Sequence, residues 1–153
     1  MLKVGSKAPN FELPDADLTI ASLADYHGRA LVLFFYIRDD TPVSIAEAVE
    51  FSDMEPEFSR MDCSVVGVSR DDCISHGSFR DKHGITVRLL ADKDGIASRA
   101  YGVIVQREVD GVKREGIDRS TYVIDPRGVI RHILHGVHTK GHAREVLKLV
   151  KEM

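Results

Sequence analysis

At 153 residues, with 43% hydrophobic and 29% charged side chains, the chain has the make-up of one globular domain able to bury a core. A formal net charge of -3, with basic residues scattered and not blocked, argues against a nucleic-acid or anionic-membrane surface. Two cysteines, Cys63 and Cys73, are too few for a disulfide framework, so a reducing, cytoplasmic setting is expected.

The opening segment MLKVGSKAPNFELP has no long apolar stretch, and no secretory signal is expected from it. Pro9 and Pro14 flank Phe11 and Leu13, and Leu18-Thr19-Ile20 follows, which reads as a short β-hairpin turning at Asp15 to Asp17. Leu23 to Tyr26 reads as one helical turn closed by His27-Gly28. Ala30 to Tyr36 is apolar on both faces, the mark of a central strand covered on both sides. It is the longest apolar run and falls far short of the ~20 residues of a membrane span.

A polar loop then leads to a helix from Val43, with Ile45, Ala48, Val49, Ser52 and Phe58 or Met61 as its apolar stripe. Pro56 is expected to kink or restart that helix, because it cannot donate to the preceding turn. Ser64 to Ser69 is a second apolar strand, and Asp71 or Asp72 offers an N-cap for a helix ending at His83-Gly84. A short strand (Val87 to Leu90) and a short helix (Asp94 to Tyr101) come next. Gln106 to Ile117 is a polar stretch with Asp110-Gly111 as a hairpin turn. Thr121 to Ile124 and Val129 to Leu134 are strands joined by Asp125-Pro126-Arg127-Gly128, and Gly141 to Lys151 is a closing helix. Residues 1–153 therefore make a single α/β domain of thioredoxin-like arrangement. A mixed central sheet lies between helices, with an N-terminal β-hairpin.

The segment YIRDDTPVSIAEAVEF, from Tyr36 to Phe51, carries the chemistry. A buried strand runs through a loop into a helix N-terminus, delivering Thr41, Pro42 and Ser44 to unpaired N–H groups and a positive dipole end. Such a place suits a thiolate or an oxyanion. Here it carries a serine.

In this segment and several others the chain resembles the peroxiredoxins, most nearly the bacterioferritin comigratory protein or Q-type subgroup. VGSKAPNFELPD, from Val4 to Asp15, is similar to the family's opening, and Asp39-Asp40-Thr41-Pro42 to its active-site loop. Gly67-Val68-Ser69, Ser75-His76 and Phe79 are similar to the strand and helix that follow. Arg119 to Asp125, Gly136-Val137 and Gly141-His142-Ala143 match late segments. The resemblance implies a thiol peroxidase that reduces hydrogen peroxide or alkyl hydroperoxides with thioredoxin or a similar thiol donor. It implies no cofactor, no nucleic acid and no membrane, and a monomer or weak homodimer.

In that family a cysteine thiolate attacks the O–O bond and becomes a sulfenic acid. By resemblance Ser44 stands at the nucleophile position, Thr41 supplies a hydroxyl to the peroxide and Arg119 supplies the cation. Ile37 replaces a proline, Val43 a glycine, and Val49 stands where many relatives carry a resolving cysteine. Cys73 opens the helix in which other members carry it, although the position aligned with theirs is near Arg80. An alcohol is far less acidic than the ~8.5 of a free thiol and lacks its soft nucleophilicity, so the chain as written is expected to be inactive. Either a cysteine has been exchanged for serine in a working site, or the chain is a divergent, peroxidase-dead member with a binding or regulatory role.

The remaining polar candidates have plainer readings. His132, His135, His138 and His142 cross a strand, a loop and a helix start, so no single face gathers them for a metal. Cys63, just before a buried strand, reads as a small structural hydrophobe. Asp39 and Asp40 read as solvated loop and capping residues. Ser44 as a hydrolase nucleophile lacks both a G-x-S-x-G elbow and a His placed as its base.

Overall fold

Two short antiparallel strands, β1 (Glu12–Pro14) and β2 (Ile20–Ser22), open the structure, turning through Asp15, whose carboxylate accepts from the N–H groups of Asp17 and Thr19. A single 3-10 turn at Leu23–Tyr26 leads to β3 (Ala30–Phe35). The computed structural model describes residues 2–153. Helix α1 (Pro42–Arg60), strand β4 (Cys63–Ser69), helix α2 (Cys73–His83) and strand β5 (Arg88–Ala91) follow as two crossover units. A short helix α3 (Ile96–Ala100) precedes the hairpin β6 (Ile104–Val109) and β7 (Val112–Ile117). Strands β8 (Ser120–Ile124) and β9 (Ile130–Leu134) and helix α4 (His142–Lys151) close the chain.

The main sheet has the order β5-β4-β3-β8-β9. The first three are parallel, β8 pairs antiparallel with β3, and β9 pairs antiparallel with β8. Because β3 is buried at every position, its two faces feed two cores. Leu31, Leu33 and Phe35 pack with Tyr101, Tyr122 and the N-terminal strands. Val32, Phe34 and Tyr36 pack under α1, Phe79 of α2 and α4. Gly67 sits where a Cβ would come within 2.7 Å of the Phe34 ring, and the space it leaves lets that ring stack on Phe51 of α1 at 4.6 Å. That contact sets the height of α1 above the sheet.

Most expected elements are present, and two expectations about α1 need correcting. Pro56 does not restart the helix, which is continuous from Pro42 to Arg60. The Ser52 carbonyl that Pro56 cannot serve lies 3.4 Å from the Thr86 hydroxyl, whose proton goes mainly to Glu55 Oε1 at 2.7 Å, so only a weak shared bond from outside the helix stands in for the missing one. The buried stripe is also shifted: Ser44, Glu47, Ala48, Phe51, Ser52 and Phe58 are buried, with Ile45 and Val49 only partly so. Three polar residues, Ser44, Glu47 and Ser52, thus lie on the face that packs against the sheet. Among the described residues no helix is long and apolar enough to cross a membrane.

Candidate active site

Helix α1 starts at the carboxyl end of β3, beside the edge where the parallel half of the sheet meets antiparallel β8. Crevices at such points are where open α/β sheets hold their ligands. Thr41 is the extended N-cap and Pro42 fills the first turn, where no N–H is needed. The Val43 and Ser44 N–H groups are left without intrahelical partners, and the positive end of the helix dipole falls on Ser44. Since β8 is antiparallel and Ser120 pairs with Phe35, Arg119 arrives at this same end of β3.

The structure brings Ser44 and Arg119 together. Ser44 is 1% exposed, and the Arg119 guanidinium donates to its Oγ through Nη2 at 3.4 Å. A third residue completes the cluster: Glu47, one turn further along α1, accepts from Arg119 Nη1 through Oε1 at 3.0 Å. Glu47 is also 1% exposed, and its Oε2 has no hydrogen-bond partner. Burial pushes the Glu47 carboxyl up to about 7, against the pull of the Arg119 cation. Sequence reasoning missed Glu47. Its signal was a charged residue three positions after Ser44, on the face that ought to be apolar.

Thr41 lies at the N-cap, partly exposed, and its hydroxyl donates to the Arg38 carbonyl at 2.9 Å. Neither Ser44 nor Arg119 receives a hydrogen bond from that hydroxyl. Cys73 opens α2 on the side facing the Asp15 to Asp17 turn, as does Arg80, whose guanidinium bonds Asp17 at 3.0 Å. Burial, helped by the Asp72 and Asp15 carboxylates, raises the Cys73 thiol above its ordinary range. No contact joins Cys73 to Ser44. Cys63 is buried, and its thiol is pushed up to about 12 by that burial.

Asp39 corrects the sequence reading: it is buried, not solvated. Its Oδ1 accepts from the Tyr36 hydroxyl at 2.6 Å, and its Oδ2 from Ser75 Oγ at 2.8 Å and His76 Nδ1 at 2.7 Å. His76 is fully buried on α2, and its Nε2 lies 2.9 Å from the Leu90 carbonyl, which can only accept. The Asp39 carboxyl and both His76 nitrogens are thus each engaged in a closed, buried network. Burial, reinforced by Asp39, keeps the Tyr36 phenol protonated.

Asp71 joins the same group, accepting from the Asp39 N–H at 2.9 Å and from the Ser69 hydroxyl at 2.6 Å. Asp39, Asp71 and His76 thus offer ligand atoms within 4.8 Å of one another. Yet Asp39 and His76 lie at hydrogen-bond distance, 2.7 Å, shorter than the ~3.3 Å that separates two ligands of a tetrahedral ion bound at ~2 Å. Asp40, at φ 58, is exposed and bonds Lys82 at 2.8 Å and His83 at 2.7 Å. The loop before α1 is therefore tied to α2 at two adjacent carboxylates.

The four late histidines are dispersed. His135 Nδ1 lies 2.9 Å from Ser120 Oγ, and His142 Nε2 lies 2.8 Å from Thr121 Oγ1. Burial lowers His142 to about 4.

A helix N-terminus, a buried hydroxyl and a guanidinium held against it, on a thioredoxin-like sheet, make a setting that would favour a negative charge at position 44. Residues 4–133 match the AhpC/TSA family, and the chain belongs to that family. Its relatives are peroxiredoxins of the Bcp or Q kind. The chain is 35% identical to peroxiredoxin Bcp of Bacillus subtilis over 152 residues, 99% of this chain and 97% of that one. A cysteine-to-serine mutant of Xylella fastidiosa PrxQ superposes with a TM-score of 0.94 at 37% identity, covering 99% of this chain and 97% of that one. The Xanthomonas campestris bacterioferritin comigratory protein was studied for its alkyl peroxide reduction activity in trapped intermediate and ligand complexes. It superposes with a TM-score of 0.90 at 34% identity, covering 93% and 90% of the two chains.

Proposed function

We propose that the cluster at the start of α1 is a hydroperoxide site of the thiol-peroxidase type in which Ser44 occupies the nucleophile position. The chain as it stands then admits a peroxide without reducing it. Arg119 is the cation that would hold a thiolate and polarise the peroxide, and Thr41 the hydroxyl at the mouth. One observation carries the reading: the Arg119 guanidinium reaches Ser44 Oγ at 3.4 Å while Glu47 holds its other nitrogen at 3.0 Å. Held in place by Glu47 and aimed at position 44, that cation would lower the pKa of a thiolate nucleophile there.

With a cysteine at position 44, the substrates would be hydrogen peroxide or alkyl hydroperoxides, and the reductant thioredoxin or a similar thiol donor. Cys73 is the partly exposed thiol open to a resolving role, while Cys63 is buried. Both being free thiols fits work in a reducing cytoplasm, as a monomer or a weak homodimer.

A second reading, a peroxidase-dead protein that uses the scaffold for binding, draws on Ile37 and Val43. These apolar side chains are 46% and 49% exposed beside the site. Ser44→Cys separates the two. On the first reading it gains peroxide consumption coupled to a thiol reductant, and its new thiol titrates well below the ~8.5 of a free cysteine. An inert, correctly folded Ser44→Cys protein would remove the peroxide-site reading.

A further inference from the structure

Granting the peroxide site above, we propose that Glu47 is its proton carrier, taking the proton from the nucleophile and returning it to the leaving oxygen. Cleaving an O–O bond with a thiol needs both transfers, because the thiolate is the attacking species and an alkoxide leaves. Arg119 cannot give up a proton at accessible pH, and the Thr41 hydroxyl and the helix N–H groups bond without transferring. His142, packed from α4, is bonded to Thr121 and stays neutral above about 4. Asp39 and His76 already share their proton within a closed network. Glu50 is taken up by the N–H groups of Gly141 and Ala143 at the start of α4, which leaves Glu47, on the face of α1 that carries Ser44, one turn away.

The geometry singles out its second oxygen. Oε1 is bound to Arg119, while Oε2 is buried and bonds nothing. Buried polar atoms are nearly always paired, so an open one asks for an explanation. A protonated Oε2 is a donor waiting for an acceptor, and in this pocket the acceptor is an oxygen of the substrate. The charged groups acting on Glu47 are Arg119, from the loop between β7 and β8, and Glu50, on α1 itself. Together with burial they bring the carboxyl to about 7, where it can accept and donate within one cycle.

In a chain with cysteine at 44, Glu47 carboxylate takes the thiol proton. The sulfur then attacks the terminal oxygen of ROOH, the S–O bond forms, and the O–O bond breaks with its electron pair leaving on RO⁻. Sulfur is oxidised to the sulfenic acid and the peroxide is reduced. Glu47 passes its proton to RO⁻, giving ROH and restoring the carboxylate.

The test compares Ser44→Cys with the double variant carrying Glu47→Gln, an isostere that still accepts from Arg119. Peroxide consumption is expected to fall by about a hundredfold and the limb of its pH profile near neutrality to vanish. A rate within about threefold, with the profile unchanged, overturns the shuttle while leaving the peroxide site standing. An inert Ser44→Cys parent overturns both. The unsubstituted chain gives a check that needs no active variant. Its infrared spectrum should contain a protonated-carboxyl band that titrates around neutral pH and is missing from Glu47→Gln. Absence of that band in the folded protein also overturns the proposal.

Discussion

Two buried carboxyl groups, each bonded to a basic side chain, flank the start of α1, and their surroundings are built differently. In the Asp39–His76 pair each carboxylate oxygen and each ring nitrogen has a partner, and the group spans the loop, α2 and the carbonyl of Leu90 on β5. In the Glu47–Arg119 pair one carboxylate oxygen is left open and the guanidinium reaches across to Ser44. A closed network specifies a conformation, whereas an open one keeps a group in reserve for something else. The first holds the active-site loop on α2; the second faces the chemistry.

The sharpest way to break this contrast is to remove one partner from the closed pair. His76→Leu strands the Asp39 carboxylate in the core, and loss of about 3–5 kcal/mol is expected in denaturant unfolding at neutral pH. Arg119→Met should cost clearly less, about 1–2 kcal/mol at pH 6, because Glu47 can then take up a proton in place of its lost partner. If the two costs are equal, the distinction between closed and open pairs fails.

A pH series sharpens the same comparison. The folded pKa of Glu47, about 7, lies above its ordinary value of 4.5. Its contribution is therefore fully present below about pH 4.5 and is lost as pH rises through 7. His142 has the opposite sign. Its folded pKa of about 4 lies below 6.5, so its contribution is present above 6.5 and is lost as pH falls through about 4. Each amounts to on the order of 3 kcal/mol at most. Glu47→Gln should flatten the alkaline side of the stability curve and leave the acid side alone. A curve unchanged on both sides would mean that Glu47 titrates normally.

How far these features were legible depends on how local their causes are. The central strand follows from ALVLFF alone, the α2 N-cap from Asp72, whose carboxylate accepts from Ser75 N–H at 2.8 Å, and the late hairpin from Asp110-Gly111, both at positive φ. Pro56 misled because tertiary packing carries the helix across one weakened bond: Phe51 and Phe58, on either side of it, are both buried in the core. The same holds more strongly for the site. Family resemblance pointed to Ser44 and Arg119, but periodicity assigns every charge to the surface. It therefore placed Asp39 in solvent, though its partner His76 lies 37 residues away in the chain, and passed over Glu47, whose partner Arg119 lies 72 residues away. Buried charge is a tertiary property, and local pattern does not contain it.

The smallest expected effect gives the cleanest control, because Asp39 and Asp40 are neighbours with the same side chain. Asp40 bonds Lys82 and His83, and the Lys82 hydrogen bond lowers its carboxyl below the usual range, but the group faces water. Exposed pairs gain little over their hydrated alternatives and are screened by salt. Asparagine also tolerates the left-handed backbone that Asp40 adopts at φ 58, so Asp40→Asn removes the charge without straining the turn. Its melting temperature should stay within about 1 °C of the parent, whereas Asp39→Asn should fall by about 10 °C. Calorimetry of the two single variants decides the matter. A comparable drop in both would show that the charge of this loop, and not the burial and saturation of one of its carboxylates, fastens it to α2.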